Sequence, residues 1–214
     1  MADGRWRKSL CHLFLIPILN MAAYTFHIID FGSTKVPRIA DMVEKLGYGT
    51  RVHHWESIDH TLLNSASGII LSGSPTFLTK ADHGPYIKHC GFLKETALPI
   101  LGICFGHQVL GILHGASIYR GEEIRGTNTI DVLVPDQLFS GLGHETVMTE
   151  DHTEGITLPE GFIHLAGSES YPNEGMKHPT KNMRGIQFHP EVSGTNGMRL
   201  FQNFCTSAVS TQPS

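Results

Sequence analysis

An α/β fold, built as a doubly wound and mostly parallel mixed sheet flanked by helices, is what this sequence predicts, and three observations carry it. Short apolar or β-branched runs alternate with helical periodicity through the first half of the chain. From about Ala116 onward, strand-like runs follow one another without a comparable helix between them, which adds antiparallel strands to the sheet. One apolar strand runs directly into Gly102-Ile103-Cys104-Phe105-Gly106, a tight strand-to-helix turn. The 214 residues suit one domain, and 40% hydrophobic residues against 17% charged ones supply a core and exclude a long disordered chain.

Tyr24 to Phe31 is aromatic and β-branched, reads as the first strand, and ends at the turn Gly32-Ser33, a candidate helix cap. Val36, Ile39, Ala40, Val43 and Leu46 then recur at helical spacing, with Pro37 in the first turn and Gly47 as the stop. Thr50 to Trp55 is a second strand, Gly68 to Leu71 a short buried third, and Leu98 to Ile103 a fourth, which feeds a helix containing Val109, Leu110 and Leu113. Further strands are expected at Thr129 to Val134, Glu145 to Met148, Phe162 to Ala166 and Gly185 to Phe188, with a closing helix from about Gly197 to Cys205.

Residues 24–206 are read as the domain, 1–23 as a disordered or peripheral extension and 207–214 as a frayed tail. In the extension, Arg5, Arg7 and Lys8 precede the apolar run Leu10 to Leu19, a loose imitation of a secretory signal that His12 and Pro17 interrupt. That run is too short to span a bilayer as a helix, and Met21 offers an alternative start beside Met1. A net charge of -4 without a long basic run argues against nucleic acid, and no segment argues for a membrane. Cys11, Cys90, Cys104 and Cys205 lie far apart with no C-x-x-C pair, so neither a zinc ribbon nor a disulfide scaffold is expected, and a reducing, cytoplasmic setting fits. The fourteen histidines are scattered; most are read as surface residues, and no metal site is expected.

The Gly-x-Cys-x-Gly segment has the form of a nucleophile elbow with Cys in place of Ser. Its glycines permit close packing at the turn, and the turn lifts Cys104 to a helix N-terminus. Amide dipoles there favour the thiolate, and the Phe105 N–H can face a developing oxyanion. The bland alternative is a structural thiol at a strand end. For a base the candidate is His189 in Gln187-Phe188-His189-Pro190-Glu191, with Glu191 placed to orient the ring; alone, this tripeptide reads equally as a strand-ending turn. Ser72-Gly73-Ser74-Pro75, at the carboxyl end of a neighbouring strand, offers a second oxyanion donor or an ordinary turn. Asp30, at the end of the first strand, is read as a cap for the helix that follows.

Leu101 to Gln108 (LGICFGHQ), together with Phe188-His189-Pro190-Glu191-Val192, resembles the class I (triad) glutamine amidotransferases, which have a flavodoxin-like fold. Within that class Ile29 to Ser33, Ile70 to Gly73, Leu158 to Phe162 and Gly185 to Val192 are similar to the amidotransferase part of GMP synthetases, and the resemblance runs from about Phe26 to Cys205. It implies Cys104 as nucleophile, His189 as general base and acid, Glu191 as its orienter, Gly73, Ser74 and Phe105 as the oxyanion hole, and Gln108 as a glutamine contact. It implies L-glutamine as substrate and an ATP-pyrophosphatase synthetase on a separate chain as partner. No cofactor is expected on this chain, with ATP and Mg confined to that partner. The phosphate loop of a fused synthetase, Ser-Gly-Gly-x-Asp-Ser, does not occur in the sequence.

Three segments depart from the family pattern. Ser74 stands where a second Gly is usual, so a positive φ there would cost more. Glu150-Asp151-His152-Thr153 replaces Ser-His-x-Asp, and Glu123-Ile124-Arg125-Gly126 lacks the usual aromatic residue before the Gly. Both segments help hold glutamine in relatives. The alternatives are therefore an amidotransferase component of anthranilate or aminodeoxychorismate synthase, a stand-alone γ-glutamyl Cys hydrolase, or a non-catalytic relative.

Overall fold

The computed structural model describes residues 23–210; the signal-like run and the two candidate start residues lie outside the described residues. Five strands form the parallel part of one sheet: β1 (Thr25–Asp30), β2 (Gly49–His54), β3 (Gly68–Leu71), β4 (Ile100–Ile103) and β9 (Met183–Ile186). Beside β9 the sheet continues in antiparallel pairing through β8 (Gly175–Lys177), β7 (Ile163–Gly167), β5 (Ile118–Val132) and β6 (Glu145–Ile156), giving the order β2-β1-β3-β4-β9-β8-β7-β5-β6.

Alternation within the buried strands defines the layers. Ile28, Ile70 and Leu101 pack on one face against Ile39 and Val43 of α1 (Val36–Lys45) and Leu200, Phe201 and Phe204 of α4 (Gly194–Ser210). Ile29, Ile69, Leu71 and Ile100 pack on the other against Tyr86 and Cys90 of α2 (Gly84–Cys90) and Val109 and Leu110 of α3 (Phe105–Leu113). Strands covered on both faces read as short continuous apolar runs, which is why β3 and β4 are visible in sequence.

The second half differs from expectation in instructive ways. β5 runs for 15 residues, far beyond Thr129 to Val134, because its first half is a largely exposed ribbon with no apolar alternation to announce it. β6 extends past Met148 to Ile156 with strict inward alternation, but the inward residues Glu150, His152 and Glu154 are polar. The three-residue β8 is too short for any period, and the Gly185 to Phe188 reading lies two residues late for β9. Helix α4 begins at Gly194 and ends at Ser210, so the expected tail from Ser207 is helical through 210, with Ala208 fully buried. The scattered histidines are not mostly surface residues: His27, His107, His152 and His189 are buried, and burial pushes His107 down to about 3, leaving it neutral.

Candidate active site

Cys104 follows β4 and heads α3 with φ 50° and ψ -105°, the one positive φ outside glycine among the described residues. Such a conformation costs on the order of 1–3 kcal/mol and persists only where its surroundings enforce it. Here two close approaches enforce it. A Cβ on Gly102 would lie 2.7 Å from the Gly106 carbonyl oxygen, and one on Gly106 would lie 2.5 Å from Leu71 Cβ in β3. The Gly106 N–H also donates to the Ser72 carbonyl at 3.0 Å, fixing the first turn of α3 to the end of β3. The Cys104 sulfur therefore sits beside helix amides that have no intrahelical acceptor. Cys90 and Cys205 are free thiols buried in apolar surroundings, where burial pushes Cys90 up to about 12 and Cys205 further, so neither is primed for attack.

The parallel pairing of β4 with β9 carries the second half of the site to the first. Cys104 N–H donates to Ile186 O at 2.8 Å, and the next residues supply Gln187 and His189. Glu191 Oε1 accepts from His189 Nδ1 at 2.7 Å, and the ring is within hydrogen-bonding reach of the Cys104 sulfur. Both side chains are almost fully buried. Burial alone would lower the His189 pKa, but the adjacent sulfur and the Glu191 carboxylate outweigh it and raise it to about 10. The turn is tied down from β6: His189 N–H donates to Thr149 O, Thr149 N–H to Ser193 Oγ, and Ser193 Oγ to His189 O. From its other side α4 presses close, since a Cβ on Gly197 would lie 1.8 Å from Pro190 O.

Replacing Glu191 with Gln removes the charge that helps hold the imidazolium, so the His189 pKa is expected to fall. The alkaline limb of Cys104 alkylation by iodoacetamide should then move to lower pH, with turnover down on the order of 100-fold or more from a misheld ring. A limb at the wild-type pH would contradict the assigned Glu191–His189 coupling.

A cavity of about 410 Å³ opens over these groups, lined by Cys104, Phe105, Gln108, His189, Ser33, Ser74 and residues of both departing segments. Gly73 closes its back, where an added Cβ would lie 3.1 Å from His189 Cε1 and 3.8 Å from Cys104 Cβ. Among the described residues the Gly73 N–H has no protein acceptor. Neither Gly73 nor Ser74 has a positive φ, so the strain expected from Ser74 does not arise. Asp30 Oδ1 accepts from the amides of Gly32 and Ser33, tying the turn rather than capping α1, which begins at Val36 without a side-chain cap. At the mouth, Lys35 Nζ lies 2.7 Å from Asp151 Oδ2, and Arg125 reaches Glu123 at 2.5 Å and Asp151 at 3.8 Å. The hydrogen bond from Lys35, opposed by burial, holds the Asp151 carboxyl below the usual carboxylate range.

Sequence reasoning brings Cys104, His189, Glu191, Gly73, Ser74, Phe105 and Gln108 to one place, but it misses the groups that support them. Gln187 Nε2 lies 3.5 Å from Cys104 Sγ, and its Oε1 accepts from Gln108 Nε2 at 3.1 Å. Gln108 Nε2 also donates to Glu154 O at 2.9 Å. The Glu154 carboxylate accepts the Leu78 and Thr79 amides and the Thr79 hydroxyl, pinning the loop that carries Ser74 and Pro75. Period-2 alternation through β6 is the available signal for Glu154, hidden because the alternating residues are polar rather than apolar.

A strained cysteine at the head of a helix, an imidazole held by a carboxylate and a mixed sheet around them define an α/β cysteine enzyme of the acyl-transfer type. The chain belongs to the family described as Glutamine amidotransferase class-I, which matches residues 27–208. It is 37% identical over 154 residues to the amidotransferase-sized chain of a glutamine-hydrolysing GMP synthase from Methanosarcina mazei, covering 69% of this chain and 76% of that protein. It is 39% identical over 189 residues to the glutamine-hydrolysing GMP synthase of Candida glabrata, a match that covers 87% of this chain but only 35% of that longer protein. Among solved structures, a GMP synthase subunit from Thermoplasma acidophilum superposes with a TM-score of 0.81 at 27% identity, covering 88% of this chain and 95% of the other. A glutamine amidotransferase from Thermotoga maritima shares the fold, with a TM-score of 0.69 at 23% identity over 83% and 80% of the two chains.

Proposed function

We propose that this chain hydrolyses the side-chain amide of L-glutamine on Cys104 and passes the ammonia to a separate ATP-using synthetase chain that converts XMP to GMP. The observation that carries the reading is the buried Cys104–His189–Glu191 set opening into a cavity of about 410 Å³. Its mouth offers charges of both signs, from Lys35, Arg125 and Asp151, which suits a zwitterionic amino acid. The GMP step draws its support from the relatives' names.

In this reading the Cys104 thiolate attacks the amide carbon, and the carbonyl π pair moves to oxygen, facing the amides of Phe105 and Gly73. His189 gives its proton to the departing nitrogen, the C–N bond breaks, and ammonia leaves with a γ-glutamyl thioester on sulfur. Water then loses a proton to His189 and attacks the thioester, releasing glutamate and the thiolate. ATP and Mg are assigned to the synthetase, and a cytoplasmic setting belongs to the same proposal.

The test is ammonia release from glutamine by the purified chain, alone and with an ATP-pyrophosphatase synthetase, followed by glutamine-dependent conversion of XMP. GMP formed only when both chains are present is the expected result. Release stimulated instead by a chorismate-using partner, or hydrolysis of γ-glutamyl amides without any partner, would replace the GMP reading.

A further inference from the structure

The inward face of β6 carries three ionisable residues into the interior, behind the wall of the cavity. Glu150 and Glu174 are at most 1% exposed, and the His152 side chain is 3% exposed. One ligand-type atom from each lies within 4.8 Å of the other two. His152 Nδ1 is 3.0 Å from Glu154 O, which can only accept, so Nδ1 carries hydrogen. His152 Nε2 is 2.8 Å from Glu150 Oε2, and one proton must lie between them for that contact to hold. Glu174 Oε1 accepts from Ser168 Oγ at 2.7 Å. The remaining oxygens, Glu150 Oε1 and Glu174 Oε2, are buried with no donor, while the two carboxyl groups stand within hydrogen-bonding reach of each other.

Two bare carboxylates cannot be held so close in a dry interior, so a second proton is required between them. With one proton on each contact the trio is electrically neutral, whichever heavy atoms hold them. The other ionisable groups that face it are the phenols of Tyr119 and Tyr171 and, beyond His152, the neutral His107 of α3. No lysine or arginine acts on Glu174 from any element packed against it.

The same residues end at the reacting sulfur. His152 Nδ1 holds Glu154 O, Glu154 O also holds Gln108, and Gln108 holds Gln187 beside Cys104 Sγ. We propose that Glu150, His152 and Glu174 form a proton-sharing positioning triad that fixes the Glu154 carbonyl, and with it Gln108 and Gln187, at the wall of the substrate cavity. Loss of the shared proton places a net negative charge in the interior, forces the two carboxylates apart and loosens Gln108. Burial and the Glu150 carboxylate push the Glu174 carboxyl up to about 8, which places this loss within the working range of an enzyme. The sign follows from linkage. The folded pKa lies above the unfolded one, so the stabilisation is complete below the ordinary carboxylate range and is lost as pH rises through about 8.

The effect on catalysis rests on the glutaminase reading; the effect on stability does not. The experiment follows melting temperature and the KM and kcat for glutamine from pH 6 to 10 in wild type, Glu174→Gln, Glu150→Gln and Glu174→Ala. Wild type should lose melting temperature and gain KM by roughly five- to tenfold across a midpoint near pH 8, with kcat changing less. Either Gln variant keeps a donor for the facing carboxyl but cannot ionise, so both steps should vanish while the separate limb from His189 near pH 10 remains. Glu174→Ala, which leaves Glu150 without its facing group, should show raised KM at every pH. Both steps persisting in the Gln variants would overturn the proposal. A step in melting temperature without one in KM would overturn the positioning role. A rise in wild-type melting temperature with zinc or manganese that Glu150→Gln abolishes would show a cation in place of the proton. If wild type releases no ammonia at any pH, the functional reading fails and the melting curves alone decide whether the proton is shared.

Discussion

Cys104→Ala is expected to reduce glutamine hydrolysis by about 10⁴-fold or more, to the level of the background reaction. The alternative nucleophiles are absent by position, since Cys90 and Cys205 are buried in the apolar layers away from the cavity. Because the elbow conformation is imposed by Gly102 and Gly106 rather than by the sulfur, the variant should keep its fold and melt within a few degrees of wild type. It should also still bind glutamine, as the cavity walls are unchanged. Ammonia release under single-turnover and steady-state conditions gives the answer, with mass spectrometry of wild type treated with a glutamine-like electrophile locating the adduct. Equal rates in the two proteins, or an adduct elsewhere, would remove Cys104 from the mechanism.

Gly106→Ala should cause the largest loss of stability that a single methyl group can produce at this site. The new Cβ would meet Leu71 Cβ at 2.5 Å and Leu71 O at 2.6 Å, both within a strand paired on its two sides. Neither atom can swing away as a side-chain tip would, so α3 must shift as a body. A cost of about 3 kcal/mol is expected, partly offset by the roughly 1 kcal/mol by which Ala is the better helix former. The same shift separates the amides of Phe105 and Gly73, so kcat should fall on the order of 100-fold as an oxyanion donor is lost. Gly91→Ala is the control: nothing lies within 4 Å of its Cβ and the backbone there is already helical, so the urea midpoint should hold or rise slightly. Wild-type stability and turnover in Gly106→Ala would show that α3 is not fixed against β3 in the way described.

How much of this is legible in sequence depends on whether burial is apolar. The strand Gly68–Leu71 and the start of α1 at Val36 are readable at their observed bounds, because Ile, Leu and Val there carry the period of the element they occupy. β6 carries an equally regular inward face, yet Glu150, His152 and Glu154 look like surface residues until the groups that face them are known. Ser207 and Ala208 read as tail because small residues give no hydrophobic signal, although both pack within α4. The site follows the same rule. Cys104, His189 and Glu191 can be picked out because turn chemistry and acid–base chemistry mark them locally. Gln187 cannot, because its role exists only through Cys104, 83 residues away, and Gln108.

That separation has a consequence for the biosynthesis of the protein. Nucleophile and base meet only through the β4–β9 ladder, and β9 is the last of the nine strands. During synthesis, β1 to β4 can pair and set the elbow while the imidazole is still being translated, and closing so long a loop is a late, slow event. A nascent chain therefore exposes an ordinary thiol, unpaired with any base. Reactivity arrives in one step, when the final strand docks and α4 folds over Pro190. Release from the ribosome and acquisition of the nucleophile are thus nearly the same moment, and truncated products carry the elbow but no chemistry.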